Sequence, residues 1–194
     1  MATQPPSAPA EPLTLDQVRA NLRQPPVQEN DRLTDLIVTA REYVEEKSGL
    51  VLTRRTVTET AASLGRWIEL ASWPVASIDV IRIPSGAGLV ALDGSAWATS
   101  LKRRPIRIIP AIVGWGVGAG YGSIGRSSVP VEIDVTAGFE TPETVPMRAK
   151  QAMHLLIAHW FANREGVETG QRAAAIEVPL GVADLIRGLK LARI

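Results

Sequence analysis

Between Asn30 and Gly49 the apolar residues Leu33, Leu36, Ile37, Ala40, Tyr43 and Val44 recur at the spacing of one helix face. Asp31 and Asp35 in the first turns and Lys47 in the last complement the helix dipole, and Gly49 suits the C-terminal cap. Upstream, Thr14 and Gln17 form a capping box, and Leu13 and Val18 are spaced as a hydrophobic staple. Pro25 and Pro26 end that first helix near Arg23.

From residue 51 the period changes. Short β-type runs occur at 51–60, 66–72, 77–83, 89–92, 97–101, 105–113 and 129–138, broken by Gly65, Pro74 and Pro84 among others. No helical pattern separates them, so antiparallel pairing is expected rather than alternating βαβ units. After Pro142 the pattern is helical again. Thr144 is placed to cap, Pro146 fits the first turn, and Met153, Leu156 and Trp160, with Met147 and Ala149, form an apolar stripe. A polar break over 166–170 leads to a short extended piece, a Pro-Leu-Gly turn and a last amphipathic helix.

These elements predict an α+β fold in which helices from both chain ends pack as a small bundle, with a central, mainly antiparallel β lobe. The expected divisions are a Pro-rich extended arm (1–12), an N-terminal helical part (13–50) and a β lobe (51–140) containing a Gly-rich loop (114–125). A long helix (141–168) completes the bundle, and a linker with a docking helix (169–194) ends the chain.

Composition narrows the chemistry. The 194 residues carry 21 Lys and Arg against 20 Asp and Glu, a net charge of +1, so the whole chain has no polybasic or polyacidic footprint. Without Cys, disulfide frameworks, thiolate zinc sites and a Cys nucleophile are excluded. The N-terminus has four prolines in twelve residues and no basic start before an apolar stretch, so no secretory signal is expected. The longest uncharged run, Ile108 to Gly125, contains six Gly and one Pro, which conflicts with a membrane helix; no membrane role is expected.

Gly120, Gly122 and Gly125 match a dinucleotide fingerprint, but the segment after them reads as a strand containing Pro130, not as the required helix. A long hairpin loop with Trp115 and Tyr121 as anchors on a partner surface is the expectation instead. His154 and His159 stand five apart, about 140° around a helix, and cannot share a metal as an i, i+4 pair does. No carboxylate pair, nucleophile elbow or Walker lysine is found, so no catalytic, cofactor-binding or metal-binding residue is expected.

Lys102, Arg103, Arg104 and Arg107 form the dense basic cluster, suited to phosphate contact or to a solvated strand edge. The C-terminal helix sets Arg187, Lys190 and Arg193 opposite Leu185, Ile186 and Leu189, a pattern that serves core closure or docking. Five Trp against two Phe and two Tyr is an unusual ratio, and Trp67, Trp73, Trp97 and Trp115 all fall in the β lobe. Trp is enriched at interfaces, and the regions of Trp97 and Trp115 are expected at a subunit or partner boundary.

The order of elements resembles the head–tail connector (adaptor) family of tailed bacteriophages. The similarity is carried by TAREYVEEKSG (39–49), DVTAGF (134–139) and LLIAHWFANREGV (155–167), and spans about half the chain; 65–128 matches in type only. The resemblance implies a structural protein without enzymatic activity or cofactor. Such connectors form a ring, usually of twelve copies, beneath the portal, extend the DNA channel and receive a stopper or tail component; similar proteins occur in phage-derived gene transfer particles. It further implies a place at the head–tail joint after assembly in the bacterial cytoplasm, and portal contacts through Leu185, Ile186, Leu189 and Leu191. The Gly-rich loop and Pro-rich arm depart from the family pattern. The competing expectation is a DNA-binding protein using residues 102–107, which as channel-lining residues are equally candidates for DNA contact.

Overall fold

The computed structural model describes residues 10–61, 66–85, 88–111, 131–163 and 180–190. The chain divides into two compact units, one formed by 1–53 with 139–194 and the other by 54–138. The class is α+β, as the sequence predicts, and among the described residues every strand pairs antiparallel.

The first unit is helical. Helix α1 (Leu15–Asn21) begins with Thr14 Oγ1 accepting from the Gln17 amide while the Gln17 side chain accepts from the Thr14 amide. Leu13 and Val18 are both buried beside this cap. The chain leaves α1 through Arg23 and Gln24, both in the left-handed region at φ 59° and 58°, ahead of the two prolines. Helix α2 (Asn30–Ser48) ends at Gly49, whose φ of 71° favours glycine and whose N–H reaches the Glu45 carbonyl. It buries Leu33, Ile37, Ala40 and Val44 of the stripe read from the sequence, while Leu36 and Tyr43 of that stripe are half-buried.

Helix α3 (Met147–Ala162) packs on α2 and brings Ala149, Ala152, Met153, Leu156 and Ile157 into the core. Its start corrects two expectations. Thr144 lies in a 3-10 turn over Pro142–Thr144 and its hydroxyl bonds the Thr141 carbonyl, while Pro146 occupies the cap of α3. The proline disfavours a helical Val145, which is extended at ψ 131°, so the helix cannot begin earlier. Met147 is 74% exposed because it lies about 200° around the helix from Ala149, opposite the stripe. Trp160 is half-buried, edge-on to Tyr43 with ring centroids 6.0 Å apart. Helix α4 (Leu180–Arg187) packs on α3 and buries Val182 and Ile186, with Leu189 buried just beyond its end.

The described residues of the second unit form two sheets. Strands β1 (Arg55–Ala61), β7 (Val131–Ala137), β3 (Val75–Ser85) and β4 (Gly88–Ala91) lie in the order β1-β7-β3-β4. A smaller sheet has the order β2-β6-β5, formed by Ile68–Glu69, Arg107–Pro110 and Trp97–Thr99. In β7, Val131, Ile133, Val135 and Ala137 point inward and alternate with Glu132, Asp134 and Thr136. Ile81 and Ile83 of β3 and Ile106 and Ile108 beside and within β6 are buried too.

On the outer face of the four-stranded sheet, Asp134 accepts from Thr58 Oγ1 at 2.7 Å and from Arg82 Nη2 at 2.6 Å. Those two bonds, the arginine first, hold its carboxyl below the ordinary 3.8. A depressed carboxylate contributes stability that is complete above the unfolded value and is lost as pH falls through the folded one. Asp134→Asn is therefore expected to lower the melting temperature at pH 7 and to flatten its fall below pH ~4, measured by thermal melts over an acid pH series. Parallel curves for the two proteins would contradict this.

Candidate functional site

Residues 66–70 and 97–110, which build the small sheet and its connecting turn, carry five basic residues and one acidic one. Strands β1, β3, β4 and β7 carry two basic residues and four acidic ones. The second unit as a whole has nine Lys and Arg against six Asp and Glu, whereas the helical unit has twelve against fourteen. The near-neutral total therefore conceals a basic β unit and an acidic helical one.

The cluster at 102–107 is not a uniform patch. Arg107 bonds Glu69 at 2.9 Å and its guanidinium lies 4.8 Å from the centre of the Trp67 ring. Arg104, half-buried, lies 5.8 Å from the centre of the Trp73 ring. Lys102 and Arg103 are exposed at the turn between β5 and β6. A phosphate would thus meet two exposed cations at this turn, while Arg104 and Arg107 are already engaged within the unit.

Trp97 starts β5 half-buried, paired with Pro110, and shares neither strand face nor exposure with its neighbour Ala98. Trp115 and Tyr121, with the whole Gly-rich loop at 114–125, lie outside the described residues, as does Leu191. Of the C-terminal positions, Ile186 is 4% and Leu189 9% exposed, and Leu185 is half-buried. Within the chain, α4 therefore spends its apolar face on α3.

An exposed aromatic position that the sequence reading left unassigned is Trp67. The alternation of Trp67 and Glu69 with buried Ile68 and Leu70 places Trp67 on the outer face, where it is 40% exposed. Arg66 and Arg107 both lie over its ring, at 5.6 and 4.8 Å. Ile109, 46% exposed, stands on the same face of β6 as Arg107. The signal was legible in R-W-I-E-L as a period of two, but only pairing with β6 brings Arg107 and Ile109 alongside.

His154 and His159 are on α3. Burial, and after it the charge of Lys150, holds His154 below the ordinary 6.5. His159 Nδ1 lies 3.4 Å from the Asn163 amide nitrogen. Among the described residues no group of His, Asp and Glu is arranged to hold a metal ion, and no helix is long and apolar enough to cross a membrane.

No protein-family model and no curated protein matches the chain. Solved structures do. The neck of an empty gene transfer agent particle, computed with C6 symmetry, contains a chain 25% identical at a TM-score of 0.65, with 94% of this chain and 91% of that one covered. The chain is similar to a gene transfer agent neck component. The virion of a native gene transfer agent particle contains a chain 22% identical at a TM-score of 0.67, again over 94% and 91%. The neck of the native particle, computed with C12 symmetry, contains one 23% identical at 0.60, over 91% of this chain and 89% of that one. These likenesses agree with the head–tail connector resemblance carried by 39–49, 134–139 and 155–167, and extend it through the β unit, where the sequence matched in type only. The matched chains are parts of gene transfer agent necks and virions.

Proposed function

We propose that the chain is a structural head–tail connector subunit, one of a ring of copies at the neck of a gene transfer particle or tailed phage. The observation that carries this reading is likeness over nearly the whole length of both chains to a neck component. The C6 and C12 symmetries of the related necks accord with a ring, twelve copies being the expected number. In this reading the ring lies beneath the portal, extends the DNA channel and passes the joint to a stopper or tail component. Subunits assemble onto the particle in the bacterial cytoplasm.

The small number of exposed cations at the turn between β5 and β6, Lys102 and Arg103, supports passage rather than grip. Affinity for DNA grows with the number of phosphates neutralised, and a channel that held each phosphate tightly would impede translocation. The residues offered for channel contact are Lys102 and Arg103, with Arg104 and Arg107 behind them. The residues offered for portal contact are Leu185, Ile186, Leu189 and Leu191. Because Ile186 and Leu189 are covered within the subunit, their use requires α4 to lift from α3 on docking, while Leu185 is already partly accessible. Trp97, Trp115 and Tyr121 belong to subunit or partner boundaries in this reading.

A sequence-independent DNA-binding protein is the second reading, favoured by the exposed pair Lys102 and Arg103. The test is native mass spectrometry of the chain alone and mixed with the portal ring of the same particle. Stoichiometric addition of copies to the portal is the expected result. A chain that leaves the portal mass unchanged, yet binds DNA with an affinity that falls steeply with salt and with loss of Lys102 and Arg103, would replace the connector reading with the second one.

A further inference from the structure

Two of the large apolar side chains most exposed among the described residues, Trp67 and Ile109, share the outer face of the small sheet. The Trp67 ring is held by Arg66 and Arg107, and Arg107 is in turn fixed by Glu69. Trp and Arg in a positioned cluster are the residue types that dominate binding energy at protein interfaces. Arginine stacked on an aromatic ring also loses less freedom on binding than a free side chain.

The four-stranded sheet presents the opposite character. Its outer face carries Thr56, Thr58 and Thr60 from β1, Glu132, Asp134 and Thr136 from β7, and Asp79 with Arg82 from β3. Arg82 is shared by Asp134 and Glu132, at 2.6 and 3.8 Å, and Thr136 and Ser77 donate to Asp79. Three carboxylates against one guanidinium leave this face negative, and its hydrogen bonds hold the charges in place.

We propose that these two faces meet between copies: the basic, Trp67-centred face of one subunit docks on the acidic outer face of the four-stranded sheet of the next. The proposal rests on the ring reading above and names the surfaces that close the ring. A ring requires a heterologous contact, in which two different patches of one chain are complementary, and opposite charge with an aromatic anchor meets that requirement. The occupant of the basic face is thus a second copy of this chain.

The absence of native cysteine permits a direct test. Ile109→Cys and Thr60→Cys place one thiol at an exposed position on each face. The full chain carrying one or both substitutions is treated, at a concentration where native mass shows assembly, with a short bis-maleimide. The double variant is expected to give a ladder of trimers and higher species, whereas each single variant stops at dimers. Adding Trp67→Ser to the double variant, with a thermal melt to verify that it stays folded, is expected to lower the ladder about tenfold or more below saturation. Assembled rings without a ladder overturn the proposed faces and leave the ring reading standing. No assembly and no ladder at the highest soluble concentration overturns both. Protection of the Ile109→Cys thiol by duplex DNA, with no ladder, assigns the basic face to nucleic acid and overturns the proposal.

Discussion

Arg41→Ala is expected to lower the unfolding free energy by about 3 kcal/mol, because it removes the cation from a mostly buried group of carboxylates. Arg41 is 12% exposed; its Nε donates to both oxygens of Glu11, its Nη1 to Glu45 at 3.0 Å, and Nη2 lies 3.5 Å from Glu42. Glu45 also accepts the Leu52 amide at 2.6 Å. One guanidinium therefore ties the segment before α1, the last turns of α2 and the chain leaving α2. Its removal takes the guanidinium from Glu45, at 9% exposure, and from Glu11, at 28%, and leaves the mutual repulsion of these neighbouring carboxylates less compensated.

Glu11 supplies the internal control. Its pKa is raised above 4.5, since burial outweighs the attraction and hydrogen bonds of Arg41, and the nearby Glu45 and Glu42 raise it further. A raised carboxyl contributes stability that is complete below the unfolded value and is lost as pH rises through the folded one. Glu11→Gln is therefore expected to cost less than about 1 kcal/mol at pH 7, and Arg41→Ala to become less harmful as pH falls and the carboxyls protonate. Urea titrations of both variants at pH 7 and pH 5 measure this. An Arg41→Ala loss below about 1 kcal/mol, or one that grows towards pH 5, would show that Arg41 is an ordinary surface ion-pair residue.

Ile133→Ala is expected to cost about 2–5 kcal/mol, the range for emptying a buried aliphatic site. Ile133 is 1% exposed in β7, the strand that pairs with both β1 and β3, and its partners in register are Glu59 and Ile81. Local opening there releases two ladders at once. Because each unit has its own core, amide exchange is expected to quicken over 55–61, 75–85 and 131–137 while α2 and α3 keep their protection. Equal acceleration in both units would instead mean that they unfold as one.

Local structure was read most accurately where local physics suffices. Thr14 with Gln17, the Leu33–Val44 stripe and Gly49 each depend on residues within a few positions, and each forms as predicted. The reading failed at Thr144 and Met147, where a proline and one turn of helix phase outweighed capping preference and hydropathy. The basic cluster was legible as charge, but not as Arg107 on Glu69 and Trp67 or Arg104 over Trp73, since those partners come from elsewhere in the chain.

By itself, then, the sequence determined the fold class, the ends of the first two helices to within a turn and the resemblance to a connector. Periodicity, capping and residue inventory are local or additive properties, and they survive without coordinates. Only the tertiary structure decided which strands pair, that β7 enters between β1 and β3, and that basic and acidic residues separate onto different sheets. Strand order is a choice among distant partners with similar local patterns. A net charge of +1 cannot reveal how charges sort when the strands that carry them are brought together.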